Sequence, residues 1–413
     1  MKKFLAILLA VILVACTFAA CSGKNDAGKT DEPKTSADSS LSKVKLGVIM
    51  LHDPNASTYD NNFYQAVLAV QKKLGLSDDQ LIFKWNIPEE GTDCYDTAAD
   101  MAAEGCNIIF ADSFGHESNM KLAAKDFPDV QFCHATGTQA IVTDLANYHN
   151  AFASIYDGRY LAGIAAGMKL NEMIEAGKFT ADEAKIGYVG AWPYAEVKSG
   201  YTSFYLGAKS VCPTATMDVV FTNSWFDIGL EKDGALKLIN SGCKLISQHA
   251  DSEGAPKACE EKGIPNVAYN ISTIDLGPNT ALISSKINWE PYFELIIKAV
   301  AEGKEIPDDY CGTLETGSVV LTELNDKVAA KGTKEAIEEA KAKLESGELH
   351  VFDTKNFTVK GKTLETYLAD VQDMGDFKGE TEVIKDGYFH ESEIDGMRSA
   401  PYFDIDIDGI TLK

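Results

Sequence analysis

The chain has 413 residues, of which 45% are hydrophobic and 24% charged, and these proportions exclude a disordered or fibrous protein. The 62 acidic residues outnumber the 38 basic ones, and the net charge of −24 disfavours nucleic acid and anionic lipid as partners because both are negatively charged. At about 100–200 residues per domain, the length predicts two or three domains.

The N-terminus, MKKFLAILLAVILVACTFAAC, has the pattern of an export signal. Two lysines precede an uninterrupted apolar run of 12 residues, which is shorter than the about 20 that span a membrane. Cys16 and Cys21 each follow small residues, as in bacterial lipoboxes whose cysteine is lipidated. We favour Cys21 because a polar tract starts directly after it, so the predicted signal peptide is 1–20. An uncleaved anchor helix is the alternative.

Residues 21–43 contain many Ser, Thr, Asp, Lys and Gly residues, which predicts a flexible tether. Removal of residues 1–20 takes away two lysines and no acid, so the mature charge becomes −26, with 36 basic residues against 62 acidic ones. A folded body that is lipid-anchored on the extracytoplasmic face of the cell membrane favours capture or sensing of external material over metabolism. The membrane is then contacted through the lipid anchor only.

The folded body begins at Val44 with alternating strands and helices. The segments KVKLGVIML, LIFKW, NIIFADSF and VQFCHATG have the apolar runs of strands, and helical patterns separate them. This β-α alternation is typical of a parallel sheet covered by helices on both faces. Residues 44–150 therefore form a predicted lobe 1.

The alternation starts again at residue 151 and predicts lobe 2 over 151–274. Its strands are KIGYVGAW, MDVVFTNSWFD, KLISQHAD and NVAYN. We expect residues 275–345 to return to lobe 1 and residues 346–413 to form an acidic C-terminal extension. The predicted fold class is α/β, with two doubly wound parallel-sheet lobes joined by a hinge.

Seven cysteines lie beyond the signal, scattered and without a C-x-x-C pair. Their odd number and irregular spacing indicate neither a disulfide framework nor a zinc site, so small buried hydrophobes are the expected role. They are Cys94, Cys106, Cys133, Cys212, Cys243, Cys259 and Cys311.

Enzyme motifs are absent from the sequence: it has no GxxxxGK[ST], no GxGxxG after a strand, no HEXXH and no GxSxG. We therefore expect no catalysis, no cofactor and no metal. The terminal DIDIDGITLK has the spacing with which a calcium loop starts, but the chain ends before a twelfth-position Glu. A terminal acidic strand is the favoured interpretation.

Ligands of open parallel sheets bind beyond the carboxyl ends of the strands. In this sequence those positions carry aromatic, amide and acidic residues and few Lys or Arg, which suits a flat, neutral, polar ligand. Packing in the core is the alternative for any single aromatic. The candidate ligand-binding residues are Asp60, Asn62, Phe63, Ser113, Phe114, Trp192, Trp225, Asp227, His249, Asp251 and Asn270.

Several of these stretches, in this order, resemble the BMP/PnrA-like family: the lipobox, YDNNFYQA, GRYLAGIAAG, KIGYVGAWPYAEV, NSWFD, QHADS and INWEPYF. The resemblance covers about residues 44–325. It implies a substrate-binding lipoprotein of an ABC importer with a type I periplasmic-binding-protein fold. Its implied partners are an ABC permease with its ATPase and, as ligand, a purine nucleoside or nucleobase.

The same resemblance implies roles for individual residues. Phe63 and Trp225 correspond to the two aromatics that sandwich the base in the family's nucleoside receptors. The family's acidic and amide contacts correspond to Asp60, Asn62, Ser113, Phe114 and Asp251.

The sequence also departs from the family pattern. Tyr64 follows Phe63 where the family commonly has Asn, and Asn270 stands where the family often has an acid. The missing carboxylate weakens the case for ribose, so a free base stays open. A binding protein or sensor for another small solute, such as a sugar or an autoinducer, is an alternative. So is an extracellular nucleoside hydrolase that uses Asp60, Asp227 or Asp251.

Overall fold

The computed structural model describes residues 40–369, 381–392 and 397–413. The predicted signal peptide, both lipobox cysteines and the tether up to residue 39 lie outside these ranges. The described helices are α1 (Thr58–Leu74), α2 (Asp93–Ala103), α3 (Glu117–Asp126), α4 (Ile155–Glu175), α5 (Ala195–Val211), α6 (Ile228–Asn240), α7 (Gly254–Lys262), α8 (Glu290–Glu302) and α9 (Thr333–Glu345).

The strands form two large sheets and two small hairpin-like pairs. They are β1 (Leu46–Ile49), β2 (Leu81–Lys84), β3 (Ile108–Ala111), β4 (Gln131–His134), β5 (Tyr148–Ala153), β6 (Lys185–Gly190), β7 (Thr216–Phe221), β8 (Leu245–His249), β9 (Asn266–Tyr269), β10 (Ala281–Ile287), β11 (Asp309–Gly312), β12 (Val319–Leu321), β13 (Leu368–Ala369), β14 (Thr381–Glu382), β15 (Ile384–Lys385), β16 (Tyr388–Phe389) and β17 (Ile410–Leu412).

The first sheet has the order β11-β5-β4-β3-β1-β2, and every pairing in it is parallel. Alternate side chains of β1 enter different cores because successive residues of a strand face opposite sides. Leu46 and Val48 pack with α1 and α8, whereas Ile49 packs with α2 and α3. Helices thus cover both faces of lobe 1, as predicted.

The second sheet has the order β12-β10-β9-β8-β6-β7-β17 and is parallel except for the β10–β12 pair. Helices α4 and α5 cover one face and α6 and α7 the other. The prediction of an α/β fold with two parallel-sheet lobes is confirmed.

The return of the chain to lobe 1 is shorter than predicted for residues 275–345. Strand β10 joins the second sheet beside β9, then α8 and β11 join lobe 1. Strand β12 and helix α9 belong to lobe 2 again, where Ile337 enters the core. The chain therefore crosses between the lobes after β5, β10 and β11. Three short crossings at one place form the hinge.

The C-terminal extension packs mainly on lobe 2. Its aromatic side chains, among them Phe352, Phe389 and Phe403, join the core that α4 and α5 form. The terminal strand predicted within DIDIDGITLK is confirmed, because β17 pairs in parallel with β7. The aspartates that precede β17 have different partners. Asp406 forms an ion pair with Lys198, and Asp408 accepts a hydrogen bond from the backbone N–H of Gly361.

Six of the seven cysteines beyond the signal are buried, and Cys311 is half-buried. Their prediction as small hydrophobes is confirmed for the six buried ones. Within the described ranges, no helix is both long and apolar enough to cross a membrane.

Candidate functional site

A cavity lies between the two lobes at the carboxyl ends of both sheets, where the strand-end rule places a ligand. Its volume is about 430 Å³ when space open to solvent is included. Its walls are aromatic, acidic and hydroxyl side chains. They are Leu51, His52, Tyr59, Asp60, Ser113, Phe114 and Thr136 from lobe 1, and Glu196, Trp225, His249, Asp251 and Tyr269 from lobe 2.

The start of α1 joins the two lobes across this cavity. The Ser57 side chain caps the helix by accepting the N–H of Asp60 at 3.2 Å. Thr58 then donates its N–H and its hydroxyl to the backbone carbonyl of Asp251, at 2.8 and 3.0 Å. These two hydrogen bonds stabilise the closed arrangement of the lobes.

Two buried carboxyl groups lie side by side in lobe 1. Asp60 accepts the N–H of His52 at 2.8 Å, and Asp112 accepts that of Leu51 at 3.1 Å. The other oxygen of each has no hydrogen-bond partner among the described residues. Burial, and then the neighbouring Asp60, raise the pKa of Asp112 well above its usual value. The protonated form of Asp112 is therefore favoured at this position.

Aromatic rings meet across the mouth of the cavity. His52 of lobe 1 packs on Phe226 of lobe 2 with ring centroids 5.0 Å apart, and Phe114 packs on Tyr194 at 5.7 Å. Trp225 lies behind Tyr194 at 6.1 Å and lines the cavity itself. A flat ligand would therefore enter between aromatic surfaces.

Acidic side chains lie close together on the floor of the cavity, which lobe 2 forms. Asp251 is buried and accepts a long hydrogen bond, 3.4 Å, from the amide of Asn270. Burial first, and then the carboxylates of Glu231, Asp60 and Glu196, raise the pKa of Asp251 well above its usual value. The site therefore favours the protonated, neutral form of Asp251 in the absence of ligand.

His249 lies beside Asp251 on the same floor. Its Nε2 is 3.3 Å from Glu196, which stands in the first turn of α5 where the helix dipole stabilises an anion. Burial lowers the pKa of His249 to about 4. The imidazole is consequently neutral at physiological pH.

Buried polar contacts hold the lobe 1 loop that carries Ser113 and Phe114. The Ser113 hydroxyl donates to Glu89 at 2.6 Å, and the Ser113 carbonyl lies 2.6 Å from Nε2 of His134. Burial lowers the pKa of His134, so Nε2 carries the single ring proton and donates. These contacts fix Phe114 at the mouth.

Six of the eleven predicted ligand-binding residues line the cavity. They are Asp60, Ser113, Phe114, Trp225, His249 and Asp251. The structure places the other five, Asn62, Phe63, Trp192, Asp227 and Asn270, outside this lining.

Helix α1 presents Tyr59 to the cavity, whereas the predicted aromatic was Phe63. Phe63 is fully buried in the lobe 1 core, stacked on Trp289 at 4.4 Å. Tyr59, one helical turn earlier, packs its edge on Phe63 at 4.9 Å and lines the cavity. Asn62 donates its amide to the carbonyl of Ile287 at 2.8 Å, which ties α1 to the hinge strand β10.

The remaining three residues lie near the cavity with other contacts. Trp192 lines the outer mouth together with Trp225. Asp227 caps α6 by accepting the N–H of Leu230 at 2.8 Å, so its carboxylate serves the helix. Asn270 has a left-handed backbone, φ 70°, and contacts Asp251 from the side.

Six lining residues were not predicted as ligand-binding: Leu51, His52, Tyr59, Thr136, Glu196 and Tyr269. Glu196 could have been predicted from the sequence. It lies at the start of the helix that follows the strand GYVGAW, and helix starts face the same edge of the sheet as strand ends. Tyr269 is the last residue of β9 and precedes the position that was predicted, Asn270. Among the residues that the structure describes, no cluster of three His, Cys, Asp or Glu could hold a metal ion.

Comparison with known proteins gives a family match over most of the chain. The model of the family described as ABC transporter substrate-binding protein, PnrA-like, matches residues 43–353. A purine-binding protein of Brucella abortus (strain 2308) is 33% identical over 313 residues, covering 75% of this chain and 83% of the relative. An ABC transporter nucleoside-binding protein of Lactococcus lactis is 25% identical, and the match covers 44% of this chain and 47% of the relative.

Another relative is named for a different substrate. A protein of Haloferax volcanii whose name describes an ABC transporter glucose-binding protein is 32% identical over 246 residues, 60% of this chain and 59% of its own. The family match therefore leaves the substrate to be argued from the site.

Solved structures agree with the fold. An ABC transporter solute-binding protein of Aeropyrum pernix K1 superposes with a TM-score of 0.62 at 15% identity, covering 75% of this chain and 93% of its own. One from Conexibacter woesei gives 0.59 at 18% identity, covering 74% and 98%. The family model covers well over half of the chain, so the protein belongs to the PnrA-like family of ABC transporter substrate-binding proteins.

Proposed function

We propose that this ABC transporter substrate-binding protein captures a purine, as base or nucleoside, between its lobes and delivers it to the permease. The observation that carries the proposal is the composition of the cavity, where aromatic faces stand beside buried carboxyl groups. Purine rings offer a flat π-surface for stacking and N–H groups that donate to carboxylates. The 33% identical purine-binding relative supports the same ligand class.

In this proposal the ring lies against Trp225 of lobe 2 and Tyr59 or Phe114 of lobe 1. Asp60 and Asp251 approach from opposite lobes and accept hydrogen bonds from ring N–H or hydroxyl donors. Contacts to both lobes favour the closed state, because a ligand stabilises the conformation to which it binds more tightly.

A sugar is the second candidate, supported by the glucose-binding name of the Haloferax relative. Carboxylates and aromatic rings also bind sugar hydroxyls and the apolar face of a sugar ring. Two distinct measurements separate the candidates: binding of purines against D-glucose, and release of free base from inosine or adenosine. Release of base would instead indicate the nucleoside hydrolase considered from the sequence.

The test is isothermal calorimetry of residues 21–413 with adenine, hypoxanthine, adenosine, inosine and D-glucose, together with mass spectrometry of ligand released from the purified protein. We expect a purine to bind and D-glucose to give no heat. Trp225→Ala is expected to weaken purine binding by about tenfold to 100-fold through lost stacking, about 1.4–2.7 kcal/mol.

Trp85→Ala is the control for that substitution, because Trp85 is 43% exposed and does not line the cavity. It should leave the affinity unchanged. If no purine binds and none co-purifies, the purine assignment is wrong. If a purine binds and the Trp225 variant keeps full affinity, only the stacking role is lost.

We also propose that the chain is tethered to the membrane through lipidated Cys21, which suits the extracytoplasmic location of ABC transporter substrate-binding proteins. Cys21→Ser is expected to abolish incorporation of labelled palmitate in cells and to release the protein from the membrane fraction. Cys16→Ser is the matched control and should keep the label. Loss of label in the Cys16 variant alone would show that Cys16, and not Cys21, is the lipidated residue.

A further inference from the structure

The chain has two arginines, and each is buried against a tyrosine ring. Arg159 lies on α4, six residues beyond the end of β5, and its guanidinium carbon is 3.5 Å from the ring centroid of Tyr269. Tyr269 lines the ligand cavity, so Arg159 stands directly behind the cavity wall. Arg398 has the same arrangement over Tyr402, at 4.2 Å, in the C-terminal extension.

The guanidinium of Arg159 has few direct partners although it is only 1% exposed. Nη1 donates to the carbonyl of Gln248 at 2.8 Å. Nε and Nη2 have no hydrogen-bond partner in the part of the chain that the structure describes. A buried cation in this position is stabilised by the π-face of Tyr269 and by carboxylates at longer range.

Those carboxylates line the ligand cavity, except that of Glu231, which lies outside the lining. Around Asp251, the side chains of Glu231 on α6, Asp60 on α1 and Glu196 on α5 are all acidic, and Arg159 on α4 acts in the opposite direction. The amide of Asn270 and the neutral imidazole of His249 lie beside Asp251. Its charge also interacts with Tyr59, Tyr269 and Asp112. Arg159 is thus the cation that faces a group of acids beneath the cavity.

We propose that Arg159 is a positioning residue of the ligand site, which supports the Tyr269 ring from behind and, held by the Gln248 carbonyl, supplies positive charge to the floor that carries Asp251. The inference rests on the proposed function. It adds a chemical preference to that function: the floor selects a ligand with an N–H or O–H donor directed at Asp251.

The direction of the pH effect follows from the charges. The positive charge of Arg159 lowers the pKa of Asp251 against burial and the neighbouring acids, which raise it. Removal of that charge therefore keeps Asp251 protonated to a higher pH. Since a protonated carboxyl group accepts poorly, binding in the variant should recover only at a higher pH than in the wild type.

The test compares Arg159→Met, Arg159→Lys and Arg398→Met by calorimetry from about pH 5 to pH 9 with the purine that binds the wild type most tightly. We expect affinity to rise with pH, with a midpoint at least one unit higher in Arg159→Met. Arg159→Lys should keep the wild-type midpoint and lose a few-fold in affinity, because it retains charge without planar stacking. Arg398→Met is the matched control and should change neither quantity.

A purely structural role predicts a different result: Arg159→Met would lose the same factor in affinity at every pH, and that outcome would overturn the inference. Rescue by Arg159→Lys shows that the substituted site still folds.

A ligand-free readout separates this inference from the proposed function. Carbon-13 NMR of the aspartate carboxyl groups, assigned with Asp251→Asn, reports the titration of Asp251 directly. An unchanged midpoint in Arg159→Met contradicts the role of Arg159 even if purines bind. A raised midpoint in a protein that binds no purine would instead reject the proposed ligand and keep the role of Arg159.

Discussion

Replacement of Asp251 by asparagine is expected to weaken purine binding by about tenfold to 100-fold. In the proposed complex a ligand donor stabilises the carboxylate form of Asp251, and asparagine loses that charge-assisted hydrogen bond of about 1.5–3 kcal/mol. The same substitution should raise the melting temperature of the ligand-free protein. Asp251 is buried among Asp60, Glu196 and Glu231, and its pKa is raised well above its usual value. The neutral amide keeps the shape of the side chain and removes this repulsion.

The stability gain has a defined pH dependence. A group with a raised pKa in the folded state binds its proton more tightly there than in the unfolded chain, so ionisation lowers stability as pH rises above the unfolded value of about 3.9. The gain of Asp251→Asn should therefore be present at neutral pH and vanish below about pH 4. Thermal unfolding at both pH values and calorimetry at neutral pH measure the two effects.

Asp182→Asn is the matched control, since Asp182 is exposed and lies before β6, at the end of the sheet away from the cavity. It removes the same charge and should alter neither affinity nor melting temperature. Weaker binding without a gain in stability would mean that Asp251 is not under electrostatic stress in the folded protein.

The largest expected effect on stability comes from the crossing of α4 and α5. A Cβ added to Gly207 would overlap the backbone carbonyl of Tyr160, and one added to Gly163 would overlap that of Phe204. Backbone atoms can give way only if the helices separate. We expect Gly207→Ala to lower the free energy of unfolding by about 2–4 kcal/mol.

Gly234→Ala is the matched control within a helix, because its added Cβ would meet Val189 and Val220 at an ordinary 3.4 Å. This substitution should be neutral or stabilise by up to about 1 kcal/mol, since alanine favours helix. Urea unfolding followed by circular dichroism measures both variants. A Gly207→Ala protein as stable as the Gly234 variant would show that the helix crossing can relax.

The sequence was sufficient for the fold class and for the edge of each sheet where the ligand site lies. Local patterns carry that information: apolar runs such as LGVI alternate with amphipathic helices, and β-α alternation leaves few topologies. Six predicted residues, among them Trp225 and Asp251, line the cavity because strand ends of a parallel sheet meet at one edge.

What the sequence did not determine depends on contacts between distant segments. Tyr59 and Phe63 stand four residues apart on one helix, and the position of Trp289, brought in by α8, buries Phe63 and leaves Tyr59 at the cavity. Likewise, β10 joins lobe 2 because the edge of β9 is open there.

The electrostatics of the site are a tertiary property as well. Asp60, Arg159 and Asp251 are ordinary residues in the sequence, where nothing indicates that they face one another. Folding buries them together, and burial removes the water that would screen their charges. Asp60 therefore raises the pKa of Asp251 and Arg159 lowers it. The sequence by itself thus determined two lobes and the sheet edges at which the cavity lies, whereas only the tertiary structure decided which aromatic lines the cavity and which charges surround it.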